Sequence, residues 1–151
     1  MPKIRVEGNY KLNGEIKVSG AKNSAVALIP ASILCDEVVE ISNVPNISDI
    51  DALEEILNYL GVKVKRNGDR VSIDCKNCES KSIPCDMSSK LRASYYFMGA
   101  LLGKYKRVKM CFPGGCSIGE RPINLHLKGF EKLGATIYEE DNSFTGIIIG
   151  T

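Results

Sequence analysis

The chain contains no tryptophan and only one histidine. Its charges are nearly balanced, with 20 lysines and arginines against 18 aspartates and glutamates. The net charge of +2 gives no basis for a nucleic-acid or polybasic membrane contact, since both need clustered positive charge. No apolar run approaches the roughly 18 residues of a membrane span, and none at the N-terminus is typical of a signal peptide. We therefore predict a cytoplasmic protein that binds neither nucleic acid nor membranes.

The six cysteines are predicted to be reduced thiols, because no export signal is present. Cys75 and Cys78 form a CxxC pair, and Cys85 follows seven residues later. A structural zinc site needs four ligands, and a thioredoxin-like CxxC stands where a strand meets a helix, whereas this pair stands in a polar linker. We therefore predict incidental thiols there, with no metal site and no cofactor. Cys35 and Cys111 lie beside apolar runs and are predicted to be buried.

The length of 151 residues and the hydrophobic content of 44% predict about one domain, and this domain contains an internal repeat. Residues 21–25 align with 91–95 at a spacing of 70, and residues 60–64 align with 133–137 at a spacing of 73. Two matches in the same order indicate a duplication. Each copy predicts helix, strand, helix, strand, strand, and the three additional residues of the second copy fall in a glycine-rich loop.

Local signals predict where these elements begin and end. Valine and isoleucine favour a strand over 37–41, and Ser48 is a predicted N-cap of a helix that Gly61 ends. Asn67 and Gly68 predict the turn of a hairpin. The apolar side chains predicted to face the core from the later helix of each unit are Ile50, Leu53, Ile56, Leu57 and Leu60, and Ile123, Leu127, Phe130 and Leu133.

Pro30 lies inside the predicted first helix. A proline within a helix removes one hydrogen bond and kinks the helix or costs about 3 kcal/mol. The sequence leaves open which of these happens.

A loop rich in glycine and proline is the strongest functional signal. It reads Pro113-Gly114-Gly115-Cys116-Ser117-Ile118-Gly119-Glu120-Arg121-Pro122. Glycines let the backbone approach a ligand closely, and Arg121 offers a planar fork suited to phosphate or carboxylate. We predict a mobile loop that carries the reactive thiol of Cys116 over an anionic substrate.

Four motifs carry a family resemblance: Lys22-Asn23-Ser24-Ala25, Leu91-Arg92-Ala93-Ser94, Pro113-Gly114-Gly115-Cys116, and Gly119-Glu120-Arg121-Pro122 followed by Leu125-His126. With them the chain resembles the enolpyruvyl transferases, and among these the UDP-N-acetylglucosamine 1-carboxyvinyltransferase family, over residues 1–151. The loop with Cys116 is the specific part, because the related 5-enolpyruvylshikimate-3-phosphate synthases share the repeat but not that loop.

The resemblance implies an α/β fold (α+β) of two lobes, each with three βαβαββ units arranged as an inside-out α/β barrel. Residues 1–18 would be a strand segment of the other lobe, and residues 19–86 and 87–151 would be the first two units of an incomplete lobe. Chains of the family are more than twice this length. We therefore expect an N-terminal fragment whose partner is the missing C-terminal part of the same enzyme.

The resemblance also implies a reaction, the transfer of enolpyruvyl from phosphoenolpyruvate to the 3-hydroxyl of UDP-N-acetylglucosamine with release of phosphate. This is the first committed step of peptidoglycan synthesis. Cys116 would donate the proton to phosphoenolpyruvate, form a covalent adduct with it, and be alkylated by fosfomycin. A thiol suits proton donation because its ordinary pKa of about 8.5 is near the working pH.

Binding residues follow from the same resemblance. The residues implied for phosphoenolpyruvate are Lys22, Asn23 and Arg121, and those implied for UDP-N-acetylglucosamine are Arg92, Arg121, Pro122, Ile123, Asn124 and Leu125. Asn124 departs from the family, which usually has an aspartate there, so recognition of uracil is expected to differ.

Three hypotheses stand side by side. The first is an enolpyruvyl transferase of which this chain is a part that is inactive alone. The second is a non-catalytic UDP-sugar-binding or half-enzyme module that needs a C-terminal partner. The third, a redox or metal-binding protein using Cys75, Cys78 and Cys85, lacks enough ligands and the right local context.

Overall fold

Helices and antiparallel strands alternate along the chain. A computed structural model describes residues 3–112, 123–140 and 143–148. The helices are α1 (Lys22–Ala31), α2 (Ser48–Tyr59), α3 (Cys85–Ser88), α4 (Tyr96–Tyr105) and α5 (Asn124–Lys132). The strands are β1 (Val39–Ile41), β2 (Lys63–Asn67), β3 (Arg70–Asp74), β4 (Arg107–Cys111), β5 (Ala135–Glu140) and β6 (Ser143–Ile148). Short 3₁₀ turns, Ser32–Leu34 and Arg92–Tyr95, follow α1 and precede α4.

Two three-stranded sheets of the same topology confirm the predicted duplication. The strand order is β1-β3-β2 in the first sheet and β4-β6-β5 in the second, and all neighbours are antiparallel. In both sheets the second strand of the hairpin lies at the centre. The predicted order of helix, strand, helix, strand, strand therefore holds in both units, and α3 is an additional short helix between them.

A single hydrophobic core joins the two units. Central strand β3 and edge strand β4 alternate between buried and more exposed side chains, as expected of strands with one face covered. The largest fully buried side chains are Ile29, Ile33, Ile50, Leu53, Ile56, Leu57, Leu60, Ile73, Ile83, Phe97, Met98 and Phe144. All five apolar residues predicted for the buried face of α2 are confirmed.

Two predicted boundaries were wrong. Strand β1 begins at Val39 rather than at residue 37, because its pairing with β3 starts at Val39 opposite Ile73. Ser48 is the first residue of α2, not its N-cap, and no side chain caps this helix. Asp49 and Asp51 in the first turn supply favourable negative charge at the positive end of the helix dipole instead.

The C-terminal ends of α1 and α5 could not be predicted correctly from the apolar pattern of the sequence. Pro30 is buried in the last turn of α1, which continues through Ala31 into a 3₁₀ turn, and the N–H of Ser32 still donates to the carbonyl oxygen of Leu28. The helix therefore accommodates the proline in its last turn, where only the N–H of Pro30 itself is missing. Leu133 was predicted to face the core but is 77% exposed. It lies beyond α5, next to Gly134, whose φ of 93° turns the chain away from the helical direction.

The cysteine predictions were largely wrong. Cys85 and Cys111 form a disulfide across 26 residues of sequence, because β4 lies beside α3, a proximity that linear spacing does not show. Cys35 is exposed. Cys75 was assigned to a polar linker, yet it is only 3% exposed and belongs to the core. Cys35, Cys75 and Cys78 are free thiols, as predicted, and Cys78 is partly buried.

The N-terminal segment before α1 differs from the rest of the described chain. Residues 3–21 form neither helix nor strand, and six large apolar side chains that alternate along the segment are exposed: Ile4, Val6, Tyr10, Leu12, Ile16 and Val18. That residues 1–18 belong to another lobe stays a prediction.

Candidate functional site

The first turn of α1 carries the predicted phosphoenolpyruvate residues. Lys22 and Asn23 are its first two residues, no side chain caps the helix, and its first turn contains no acid. The N–H groups of a helix's first turn have no intrahelical partner, and the helix dipole adds positive charge there. Together with the ammonium group of Lys22, this end of α1 is suited to an anion.

Asp49 holds the ammonium group of Lys22. Lys22 Nζ and Asp49 Oδ2 form an ion pair, in which the lysine side chain is 54% exposed and the aspartate side chain 21% exposed. Asp49 lies in the first turn of α2. The pair therefore joins the positive ends of two helices, while the lysine remains accessible to a ligand.

Gly20 fixes where α1 begins. A Cβ at this position would lie 1.6 Å from the backbone oxygen of Asn43, so only glycine fits. Asn43 itself has a φ of 58° in the loop between β1 and α2. The start of α1 is thus packed directly against the connection that leads to Asp49.

Arg92 occupies in the second unit the place that Lys22 has in the first. It is the first residue of the 3₁₀ turn that leads into α4, as the repeat predicted. Two residues earlier, Lys90 Nζ donates to both carboxylate oxygens of Glu55 in α2, at 2.7 and 2.9 Å, and these hydrogen bonds raise the pKa of Lys90. A groove of about 330 Å³ connects the two units here; its lining is Ser48, Asp49, Asp51, Ala52, Glu55, Lys90 and Leu91.

A ring contact ties the turn of Arg92 to the start of α5. The rings of Tyr95 and His126 lie 4.9 Å apart between centroids, at 51° to each other. Hydrogen bonding with Tyr96 raises the pKa of Tyr95, and burial acts in the same direction, while the positive charge of Arg92 opposes both. Arg92 and Tyr95 are the first and last residues of the same 3₁₀ turn.

The predicted nucleotide-sugar residues at the start of α5 are described in part. Ile123 is buried, and Asn124 begins the helix, with its Oδ1 accepting a hydrogen bond of 3.1 Å from the N–H of Leu125. Leu125 is 76% exposed. The structure thus brings Tyr95, which lies in the turn that begins with Arg92, into contact with His126 in the first turn of α5, and it brings Lys22 into contact with α2. Cys116, Arg121 and Pro122 lie outside the described residues.

Sequence reasoning missed Asp49 and the contact between Tyr95 and His126. The acidic first turn of α2 was a visible signal for Asp49, because acids there are favourable, but its pairing with Lys22 depends on how α1 and α2 pack. Nothing in the sequence pairs Tyr95 with His126.

Within the described residues, no group of three or more histidine, cysteine, aspartate or glutamate side chains could hold a metal ion. In the same part of the chain, no helix combines the length and hydropathy that crossing a membrane requires.

Comparisons with known proteins agree on one family. A family model described as EPSP synthase (3-phosphoshikimate 1-carboxyvinyltransferase) matches residues 6–150. UDP-N-acetylglucosamine 1-carboxyvinyltransferase 1 of Streptococcus agalactiae is 50% identical over 143 residues, which are 95% of this chain and 34% of that protein. UDP-N-acetylglucosamine 1-carboxyvinyltransferase 2 of Streptococcus thermophilus is 52% identical over 140 residues, or 93% of this chain and 33% of that protein. The chain thus spans about a third of the length of these relatives.

Solved structures support the same fold at lower identity. The enolpyruvyl transferase NikO from Streptomyces tendae matches with a TM-score of 0.77 and 22% identity, over 93% of this chain and 31% of that chain. EPSP synthase from Acinetobacter baumannii matches with a TM-score of 0.64 and 17% identity, over 89% and 32%. The two repeated units are thus units of the enolpyruvyl transferase fold. Since the family model covers nearly the whole sequence, the chain belongs to the EPSP synthase family of enolpyruvyl transferases.

Proposed function

We propose that this chain forms part of the active site of an enzyme that transfers enolpyruvyl from phosphoenolpyruvate to the 3-hydroxyl of UDP-N-acetylglucosamine and releases phosphate. The names of the relatives that are about half identical to it support this reaction. The carrying observation is the uncapped first turn of α1, where Lys22 is paired with Asp49 yet remains exposed. The enzyme would act in the cytoplasm at the first committed step of peptidoglycan synthesis.

In this proposal the first turn of α1 receives phosphoenolpyruvate. Lys22 contributes a positive charge with three N–H donors, and the free backbone N–H groups of the turn add oriented dipoles. Asn23 adds an amide that can donate or accept a hydrogen bond. Arg121 is proposed as a second cation for the same anionic substrate, because its fork can bind two oxygens at once.

The second unit is proposed to hold the nucleotide sugar. Arg92 would contact the charged groups of UDP-N-acetylglucosamine, and the start of α5, with Asn124 and Leu125, would contact the uridine end. The remaining residues proposed for this ligand are Arg121, Pro122 and Ile123. The contact of Tyr95 with His126 supports this proposal, because it joins the turn that begins with Arg92 to the first turn of α5.

Cys116 is the proposed proton donor. Its thiol would protonate C3 of phosphoenolpyruvate while the 3-hydroxyl oxygen attacks C2 and releases its proton to a base. Phosphate would then leave as the Cys116 thiolate takes a proton from C3, which restores both the thiol and the double bond. A thiol with a pKa near the working pH suits both proton transfers. The same nucleophile would form the covalent adduct with phosphoenolpyruvate and react with fosfomycin.

Binding of phosphate and phosphoenolpyruvate to this chain tests whether the first turn of α1 binds the substrate anion. The isotopically labelled chain is titrated with inorganic phosphate and then with phosphoenolpyruvate, and the amide signals of residues 22–24 are followed by NMR. We expect saturable shifts there, and Lys22→Ala should weaken binding by about tenfold or more, as expected for losing a charge-assisted hydrogen bond.

Lys63→Ala is the matched control, because Lys63 is an exposed lysine on β2. It should leave the affinity unchanged. Shifts that are confined to other regions, or an equal effect of the two substitutions, would contradict the assignment of α1 to the substrate anion. Binding of UDP-N-acetylglucosamine without any phosphate binding would instead favour the non-catalytic module.

A further inference from the structure

The disulfide between Cys85 and Cys111 lies where the two units meet. Cys85 is the first residue of α3, and Cys111 is the last residue of β4. The chain between them contains the turn of Arg92, α4 and β4 itself. The bond thus closes a ring around the start of the second unit.

Backbone contacts bring these two cysteines together independently of the bond. The N–H of Ile83 donates to the carbonyl oxygen of Lys109 at 2.9 Å, and Ile83 pairs with Met110 in a parallel bridge. Both Ile83 and Met110 are buried. The Cα atoms of Cys85 and Cys111 lie 4.9 Å apart, within the range that a disulfide requires. Reduced thiols would therefore remain within bonding reach.

The pair is also accessible to a reactant. Cys85 is exposed and Cys111 is half-buried. Thiol–disulfide exchange needs an attacking thiolate to reach a sulfur atom, which these positions allow. Cys75 differs, since it is buried, and burial raises the pKa of its thiol. Exchange is therefore expected at the pair between Cys85 and Cys111 rather than at Cys75.

We propose that Cys85 and Cys111 are a reversible redox modification site whose reactant is a small-molecule disulfide of the glutathione class. In the oxidising direction one thiolate attacks the reactant and releases one molecule of its thiol. The second thiolate then attacks the mixed disulfide and releases the other. The two cysteines lose two electrons and two protons in total, and the reactant takes up both as two thiols.

Oxidation at this site fixes the end of β4 to α3. After Phe112 the chain continues directly into the segment that contains Cys116, so the bond restrains the point from which that segment starts. This inference does not depend on the proposed transferase activity, because it concerns the redox state of two cysteines in the chain alone.

A redox titration of the purified chain tests the inference. The chain is equilibrated in buffers with graded ratios of reduced to oxidised glutathione, quenched with acid, and alkylated, and each cysteine is quantified by peptide mass spectrometry. Cys85 and Cys111 should be oxidised or reduced together. The pair should pass from mostly disulfide to mostly dithiol over about a hundredfold change in the ratio of the squared concentration of reduced glutathione to the concentration of oxidised glutathione. Cys35→Ser, at another exposed cysteine, should leave this transition unchanged.

Several results would overturn the proposal. The pair would be a permanent bond if it stayed oxidised in every buffer, and it would not be a redox site if it stayed reduced in every buffer. Oxidation of Cys75 with Cys78 in place of this pair would also contradict it. Thermal unfolding of the fully reduced chain is the second measurement: a cooperative transition supports reversible use, and its loss would make the bond a structural requirement.

Discussion

Glu54 combines burial with incomplete pairing. Within the described residues, its Oε1 is buried without a hydrogen-bond partner, and Arg66 Nη1 lies 3.7 Å away. Burial raises the pKa of Glu54 above its ordinary value of 4.5, Arg66 acts against this, and the negative charge of Asp51 adds to it. The folded state therefore holds this proton more tightly than the unfolded state does.

The consequence is a loss of stability as the pH rises. Below pH 4.5, Glu54 is mostly protonated in both the folded and the unfolded state. As the pH rises from 4.5 to the raised pKa of the folded state, the unfolded state loses the proton first. The free energy of unfolding therefore falls over this interval. We predict that Glu54→Gln removes this fall, so that the variant gains stability relative to the parent chain as the pH rises through this interval. Urea unfolding at a series of pH values measures it.

Glu37→Gln serves as the control for this series, because Glu37 is exposed. Its substitution should leave the pH dependence nearly unchanged. A Glu54→Gln curve parallel to that of the parent chain would show that the carboxyl group titrates alike in both states.

Gly20 permits a second prediction at the residue scale. Because a Cβ would meet the backbone oxygen of Asn43 at 1.6 Å, Gly20→Ala must displace one of the two segments, and we expect a loss of about 1–3 kcal/mol of stability. The amide signals of Lys22 and Asn23 should shift as well. Denaturant unfolding and NMR spectra measure the two effects.

The control for Gly20 is a glycine with free space. Gly129 lies inside α5, and no atom of the described residues lies within 4 Å of a Cβ at its position, so Gly129→Ala should raise stability by up to about 1 kcal/mol. If Gly20→Ala were as stable as the parent chain, the close approach to Asn43 would be wrong.

At the scale of elements, Arg66 fastens β2 to α2 and to the loop before it. Its guanidinium donates to Asp51 Oδ1 at 2.9 Å, to the backbone oxygen of Pro45 at 3.3 Å, and to Asn46 Oδ1 at 3.1 Å. The side chain is 20% exposed, so part of this network is shielded from water. Arg66 thereby fixes the entry of α2, the helix whose first turn carries Asp49.

We predict that Arg66→Met lowers the free energy of unfolding by about 1 kcal/mol, because a partly buried backbone acceptor and two exposed polar side chains lose their donor. Arg70→Met is the control, since Arg70 is an exposed arginine on β3. Denaturant unfolding of both variants measures the difference. Equal losses would mean that the network contributes no more than a surface charge.

The elements themselves were largely predictable because their signals are local. The buried stripe of α2, the hairpin near Asn67 and Gly68, and the repeat all follow from periodicity and turn chemistry. The equivalent positions of Lys22 and Arg92 followed from the repeat as well. The ion pair of Lys22 with Asp49 and the bond of Cys85 with Cys111 were not predictable, because each joins segments that meet only after the helices and sheets have packed.

At the scale of the whole molecule, the described site consists of the first turn of α1, the 3₁₀ turn before α4, and the side chains that contact these two turns. Lys22 and Arg92 lie in different units. Asp49 of α2 pairs with Lys22, and Tyr95, in the turn that begins with Arg92, contacts His126 of α5. The relatives are about three times as long as the match to this chain.

We therefore predict that the 151-residue chain alone releases no phosphate from phosphoenolpyruvate and UDP-N-acetylglucosamine. A colorimetric phosphate assay over hours, at millimolar substrate and high protein concentration, measures this. An active relative of full length provides the positive control. Turnover that disappears with Cys116→Ala would show that the chain carries a complete active site.

The N-terminal segment leads to the last prediction. Residues 3–18 form neither helix nor strand, and all of them, including their alternating apolar side chains, are exposed, so they contribute no buried side chain to the core. Deleting residues 1–18 should therefore change the free energy of unfolding by no more than about 0.5 kcal/mol, and it should reduce self-association by removing exposed apolar side chains. Denaturant unfolding and analytical ultracentrifugation measure the two effects. A large loss of stability would show that the segment packs against the two units rather than serving another lobe.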